Sequence, residues 1–225
     1  MVDGAENTAA QASDKERFRL GRPAIVCRWR LSAGALPLEN RHLRALGART
    51  HNGVRVSKQL VAWAKQHIEW TLTEGSAQHP DGVLMLVIDV DGKAAMTVGE
   101  YRRLPETSLV YLLHRATTAR DESMSTGVAP EIVCAVADGS LVMGLPAGER
   151  SSGAASLVSD LARTVGIDVE RREHLADDVA AHPPLYDEVF LVSDEHGIVV
   201  ANGYEGSTST RMRDGYERLM ERERE

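Results

Sequence analysis

Residues 186–199, YDEVFLVSDEHGIV, decide the fold. An apolar run over Val189–Val192 is followed by Asp194-Glu195-His196-Gly197, and apolar residues resume at Ile198. Two strand-like runs around a polar, glycine-ended turn predict a β-hairpin. Downstream, TRMRDGYERLMERERE predicts a charged terminal helix. Upstream, IDVERREHL reads as an extended segment, and DDVAAHPPLYDEV as a short helix with a Pro-Pro turn. Before these, EIVCAVADGSLVMG predicts a second hairpin turning at Asp138-Gly139. The loop PAGERSSGAAS then leads into the helix ASLVSDLARTVG, with Leu157, Val158, Leu161 and Val165 on its buried face and Gly166 as its stop.

The earlier half reads as a smaller α/β lobe. PAIVCRWRL is a strand, NRHLRALGAR a short helix, and VSKQLVAWAKQHIEWTLTE a longer helix started by Ser57. GVLMLVIDVDGKAAMTVGEY is a hairpin with Asp91-Gly92 at its turn. Trp29, Trp63 and Trp70 are expected in the core. The expected organisation is a mobile tail over residues 1–19, a small lobe over 20–104 and a larger lobe over 105–225. The class is α+β.

Composition narrows the function. The 225 residues carry a formal charge of −7, which gives no general attraction for phosphate backbones, so nucleic acid is not an expected partner. No run is long enough to span a membrane, and the N-terminus lacks the apolar stretch of a secretory signal, so a cytoplasmic protein is expected. The two cysteines, Cys27 and Cys134, sit in separate strand-like runs and match neither a zinc pattern nor a disulfide framework. Lysine occurs only at Lys15, Lys58, Lys65 and Lys93. An alanine- and arginine-rich, lysine-poor chain is compatible with a high-GC bacterial genome and a place in specialised-metabolite biosynthesis.

The order of segments resembles the fold-type IV (class IV) aminotransferase family, which includes branched-chain aminotransferases, D-amino acid aminotransferases and aminodeoxychorismate lyases. The resemblance runs from about residue 23 to 221. It rests mostly on IDVERREHLADDV, YDEVFLVSDEHGIV and GSTSTRMRDGYERLM, with LPLENRHLRAL and AVADGSLVMGLP in support. It implies a two-lobed fold with a crevice between the lobes. Family members hold pyridoxal phosphate there, through a lysine imine, a carboxylate on the pyridine nitrogen, and an arginine plus helix amides on the phosphate.

Residues 107–122, TSLVYLLHRATTARDE, match the segment that opens with the lysine, and here Thr107 takes that place. The phosphate arginine falls at Ala45, with Arg44 one place away on another helix face. The nitrogen-pairing glutamate falls near Gly127, unless a shifted register brings in Glu122 or Glu131. The phosphate loop becomes residues 151–155, and the last phosphate-binding threonine becomes Asp194. Five anchors are absent together, so no cofactor is expected.

A crevice lined by Thr107, Tyr111, His114, Ser151, Ser152, Ser193, Asp194, Glu195 and His196 suits proton transfer, because a histidine beside carboxylates titrates near neutrality. Asp194, Glu195 or His196 would be the base, with Thr107 at the old lysine position. Arg150, Ser151 and Ser152, ahead of a helix N-terminus, would hold an anionic group. Each feature also has a plainer reading: Ser-Ser-Gly-Ala as a helix cap, Asp-Glu-His-Gly as a solvated turn, Tyr111 as core. The leading expectation is a cofactor-independent enzyme performing an elimination on a small anionic metabolite. The alternatives are a non-catalytic subunit, in a homodimer or a heteromer with a second protein, and a pyridoxal phosphate enzyme with Lys58 or Lys93 displaced into the site.

Overall fold

The computed structural model describes residues 19–222, so the segment expected as a tail lies, apart from residue 19, outside the described residues. The first lobe is a three-stranded antiparallel sheet, β1 (Pro23–Arg30), β4 (Val83–Asp89) and β5 (Ala94–Gly99), in that spatial order. Alternation along β1 buries Ile25, Cys27 and Trp29 on one face. Between β1 and β4 lie helix α1 (Glu39–Leu46), a two-stranded hairpin β2 (Thr50–His51) and β3 (Val54–Arg55), and helix α2 (Lys58–Gly75). Ser57 caps α2, its hydroxyl accepting the Leu60 amide at 3.1 Å. Ala64 and Ile68 of α2 close the core over the sheet.

Trp70 departs from expectation: it is 54% exposed. Two residues beyond Ile68, it lies about 200° round the helix, away from the sheet.

The second lobe begins with helix α3 (Leu109–Thr126), capped by Ser108 and ended by Gly127 in the left-handed conformation. Its five-stranded sheet has the order β10 (Gly197–Val200), β9 (Glu188–Ser193), β6 (Glu131–Ala137), β7 (Ser140–Met143), β8 (Val169–Arg171). The β6–β7 turn uses Asp138 and Gly139, both with positive φ, as a type I′ turn requires. Only the β7–β8 pair is parallel.

Strand β9 is buried throughout, because both faces of the sheet are covered. Phe190 and Val192 pack against helices α4 (Gly153–Thr164) and α6 (Ser207–Arg222), while Val189 and Leu191 pack against α3 and α5 (Leu175–Ala181). A 3₁₀ turn, Pro183–Leu185, precedes β9. Val165, expected on the buried face of α4, is its C-cap and 41% exposed. Cys27 and Cys134 are buried free thiols. No helix among the described residues is long and apolar enough to cross a membrane.

The lobes meet at the β9–β10 turn. The Arg30 amide, at the end of β1, donates to the Asp194 carbonyl at 3.0 Å. Helix α1 packs beside α4.

Candidate active site at the lobe seam

The β9–β10 turn is not a solvated loop. Asp194 is 6% exposed, and the His196 side chain is 5% exposed. Gly197 has φ +69°, and a Cβ there would overlap the Tyr216 ring of α6. Ser193 organises the turn: its hydroxyl accepts the amides of Glu195 (3.1 Å) and His196 (3.0 Å) and donates to Glu131 at 2.8 Å. Register places Glu131 of β6 directly across from Ser193. Arg115 of α3 forks onto both Glu131 oxygens at 2.8 and 2.7 Å.

His196 lies among these groups. Its Nε2 is 4.0 Å from an oxygen of Glu131 and 4.0 Å from one of Glu195. Its Nδ1 is 3.5 Å from the Tyr101 hydroxyl, and Arg30 stacks on the Tyr101 ring. Burial lowers the His196 pKa. Glu195 and Glu131 oppose that effect without overcoming it, so the imidazole is neutral at pH 7.

Asp194 turns away from His196, into the N-terminus of α4. Its Oδ1 accepts the Ala154 amide at 2.7 Å, and its Oδ2 lies 3.5 Å from Nδ1 of His42. His42 is itself buried and stacked on Trp29. Burial pushes the Asp194 carboxyl up, but His42, the Ala154 amide and Arg49 outweigh it and hold the pKa below the ordinary value. Asp194 is therefore an anion fixed by the helix end.

The ten residues expected at one site divide among several places. Tyr111, His114, Ser193, Asp194 and Glu195 line one crevice of about 580 Å³ between β1 and α3. His196 borders an adjoining cavity of about 390 Å³, which Glu195 also lines. Arg150 and Ser151 line a separate groove on the side of α1 and α4. Ser152 is buried and caps α4, its hydroxyl accepting the Ala155 amide at 3.3 Å. Thr107 donates to Asn202 at 2.7 Å, at the start of α3.

Sequence reading did not place Arg28, Arg115, His42 or Tyr101 at the seam. Glu131 offered one usable sign, a lone carboxylate opening an otherwise apolar strand run.

Pyridoxal phosphate does not fit these residues. Thr107 has no amine, and Lys58, Lys65 and Lys93 are exposed and line neither seam cavity. Ala45 presents a buried methyl where the resemblance calls for arginine, and Gly127 has no side chain. The two segments assigned to the phosphate, residues 151–155 and Asp194, do come together, but there the carboxylate of Asp194 takes the helix amide. A phosphate arriving at that amide would meet a fixed like charge.

No protein-family model and no curated protein matches the chain. Solved structures do match. A hypothetical aminotransferase from Mycobacterium tuberculosis, in its PLP-bound form, superposes with a TM-score of 0.58 at 12% identity, covering 88% of this chain and 89% of that one. The fold IV transaminase CpuTA1 from Curtobacterium pusillum gives 0.55 at 12% identity over 89% and 84%. The branched-chain amino acid aminotransferase of Escherichia coli gives 0.51 at 12% identity over 92% and 90%. At such identities the likeness is one of architecture, and the architecture of this chain is that of the fold-type IV aminotransferases.

Proposed function

We propose that the chain is a cofactor-independent enzyme that binds a small anionic metabolite in the seam crevice and performs proton transfer there, with elimination as the reaction class. The observation that carries this reading is Glu195, which lines the crevice and stands beside the buried His196, whose Nε2 is 4.0 Å from the carboxylates of Glu195 and Glu131. A neutral imidazole beside a carboxylate can take a proton at neutral pH. Arg28, whose side chain is 56% exposed and 3.4 Å from Glu195, offers a guanidinium to a substrate carboxylate. A proton α to that carboxylate passes to Glu195, which lines both the crevice and the cavity of His196, and the C–H electron pair becomes a C=C bond to the neighbouring carbon that carries the leaving group. The leaving group departs with the electrons of its bond and takes a proton from His114 or Tyr111, which line the same crevice. Asp194 contributes by holding the turn that presents Glu195 and His196.

A panel of carboxylate metabolites incubated with the protein in D₂O tests this by NMR. Solvent deuterium should enter one carbon of a bound compound, and Glu195→Gln should slow exchange by about 10²-fold or more while binding persists. Binding without exchange in the parent protein would remove the catalytic reading.

A second reading, a non-catalytic subunit, has its own support. The buried carboxylates at the seam are already partnered within the chain: Glu131 by Arg115 and Ser193, Asp194 by Ala154. Val110 and Met124, two heptads apart on α3, are 78% and 81% exposed, which suits a subunit contact in a homodimer or a heteromer. Under this reading the purified chain binds none of the metabolites and is stabilised by a second protein.

A further inference from the structure

The groove on the far side of the seam is the strongest charged feature outside the crevice. It has a volume of about 800 Å³, within the range of small-molecule sites. Among the described residues, six arginines line it against two carboxylates, in a chain whose formal charge is −7. They come from both lobes: Arg41 and Arg44 from α1, Arg55 from β3, Arg150 from the loop before α4, Arg163 from α4 and Arg171 from β8.

These arginines differ in state. Arg41 binds Asp160 at 2.8 Å and Ser156 at 3.1 Å. Arg171 donates to the Glu149 carbonyl at 2.7 Å and to Ser151 at 3.2 Å, so it is held in place. Arg44, Arg55 and Arg150 are exposed and make no ion pair among the described residues. Clustering like charges costs free energy unless an anion offsets it. Three unpaired guanidiniums around one groove, braced by paired neighbours, are an arrangement that an anion of several charges would satisfy.

The lining also selects the type of anion. Guanidinium forks match phosphate oxygens in pairs. Among the described residues the rest of the groove is Ala45, Ala48, glycines and serines, with no aromatic ring to stack a base and no apolar pocket to seat a peptide side chain. We infer that this groove binds a small, multiply phosphorylated ligand, with Arg44, Arg55 and Arg150 as its phosphate contacts. Ala45 and Ser151, two of the positions that the resemblance assigns to a cofactor phosphate, do line this groove, but the third, Asp194, lines the crevice and takes the Ala154 amide that such a phosphate would need. The inference does not depend on the chemistry proposed for the crevice. A ligand here would tie α1 and β3 to α4 and β8, and so would brace the two lobes.

Calorimetric titration of the whole chain with inorganic tripolyphosphate, at low and at physiological salt, tests it. The expected result is saturable one-to-one binding, with a rise in melting temperature and much weaker binding of monophosphate. Arg44→Ala, Arg55→Ala and Arg150→Ala change exposed residues, so their unliganded melting should match the parent. Each should weaken binding about tenfold, and Arg28→Ala, in the other cavity, should leave it unchanged. Three results would overturn the inference: no saturable binding at physiological salt, binding indifferent to Arg44 and Arg150, or tighter binding of a poly-glutamate peptide, which would make the groove a protein contact.

Discussion

Asp194 fixes its carboxylate on the first turn of α4, where Oδ1 accepts the Ala154 amide. Its neighbours are written far away in the chain, at His42 and Ala154, so its identity was legible in the sequence while its role was not. The sequence reading has it in place of the last phosphate-binding threonine and as a candidate base. The structure has its carboxylate on the helix amide, with His42 beside it. Asp194→Asn should destabilise the protein by about 3 kcal/mol, measured by urea unfolding, because it leaves His42 and the helix end without their anion. The folded pKa of Asp194 is below its ordinary value, so its contribution is complete above about pH 4 and is lost as pH falls toward the depressed value. Acid unfolding of Asp194→Asn should lack that component. His196 acts in the same direction for a different reason. Burial of the imidazole lowers its folded pKa, so below about pH 6.5 the unfolded chain binds the proton first. Stability should therefore rise with pH through the window just below 6.5, and His196→Gln should flatten that rise.

At the scale of elements, turns were the most legible feature. Asp91-Gly92 and Asp138-Gly139 close hairpins because their glycines adopt positive φ. The Asn52-Gly53 turn between β2 and β3 carries the same chemistry, but its strands are only two residues each and leave no alternating run to find. Helix caps at Ser57, Ser108 and Ser152 follow the expected serine chemistry. What no local pattern conveys is how tightly α4 meets α1. A Cβ at Gly153, the first residue of α4, would run into the His42 ring, which is stacked on Trp29. Gly153→Ala should cost about 2 kcal/mol in thermal or urea unfolding. Much of that loss should disappear in the double variant with His42→Ala, because the two changes share one contact. Additive losses would show that the clash is relieved elsewhere.

For the whole molecule, the order of segments was enough to anticipate two lobes with a crevice between them, since each hairpin and helix follows in sequence. The site was less legible, because distances across two lobes are set by packing and not by spacing along the chain. Residues grouped in the reading fall into a crevice, an adjoining cavity and a separate arginine groove. Net charge hid that groove: an acidic total is compatible with local arginine density. This chain keeps the architecture of the fold-type IV aminotransferases while its own carboxylate holds the helix end that a cofactor phosphate would need. The most direct measurement is the visible spectrum of the purified protein with pyridoxal phosphate, before and after borohydride, with intact mass recorded. The expected result is no saturable cofactor band and no reduced adduct on any single lysine. A saturable band with one specific lysine adduct would contradict it.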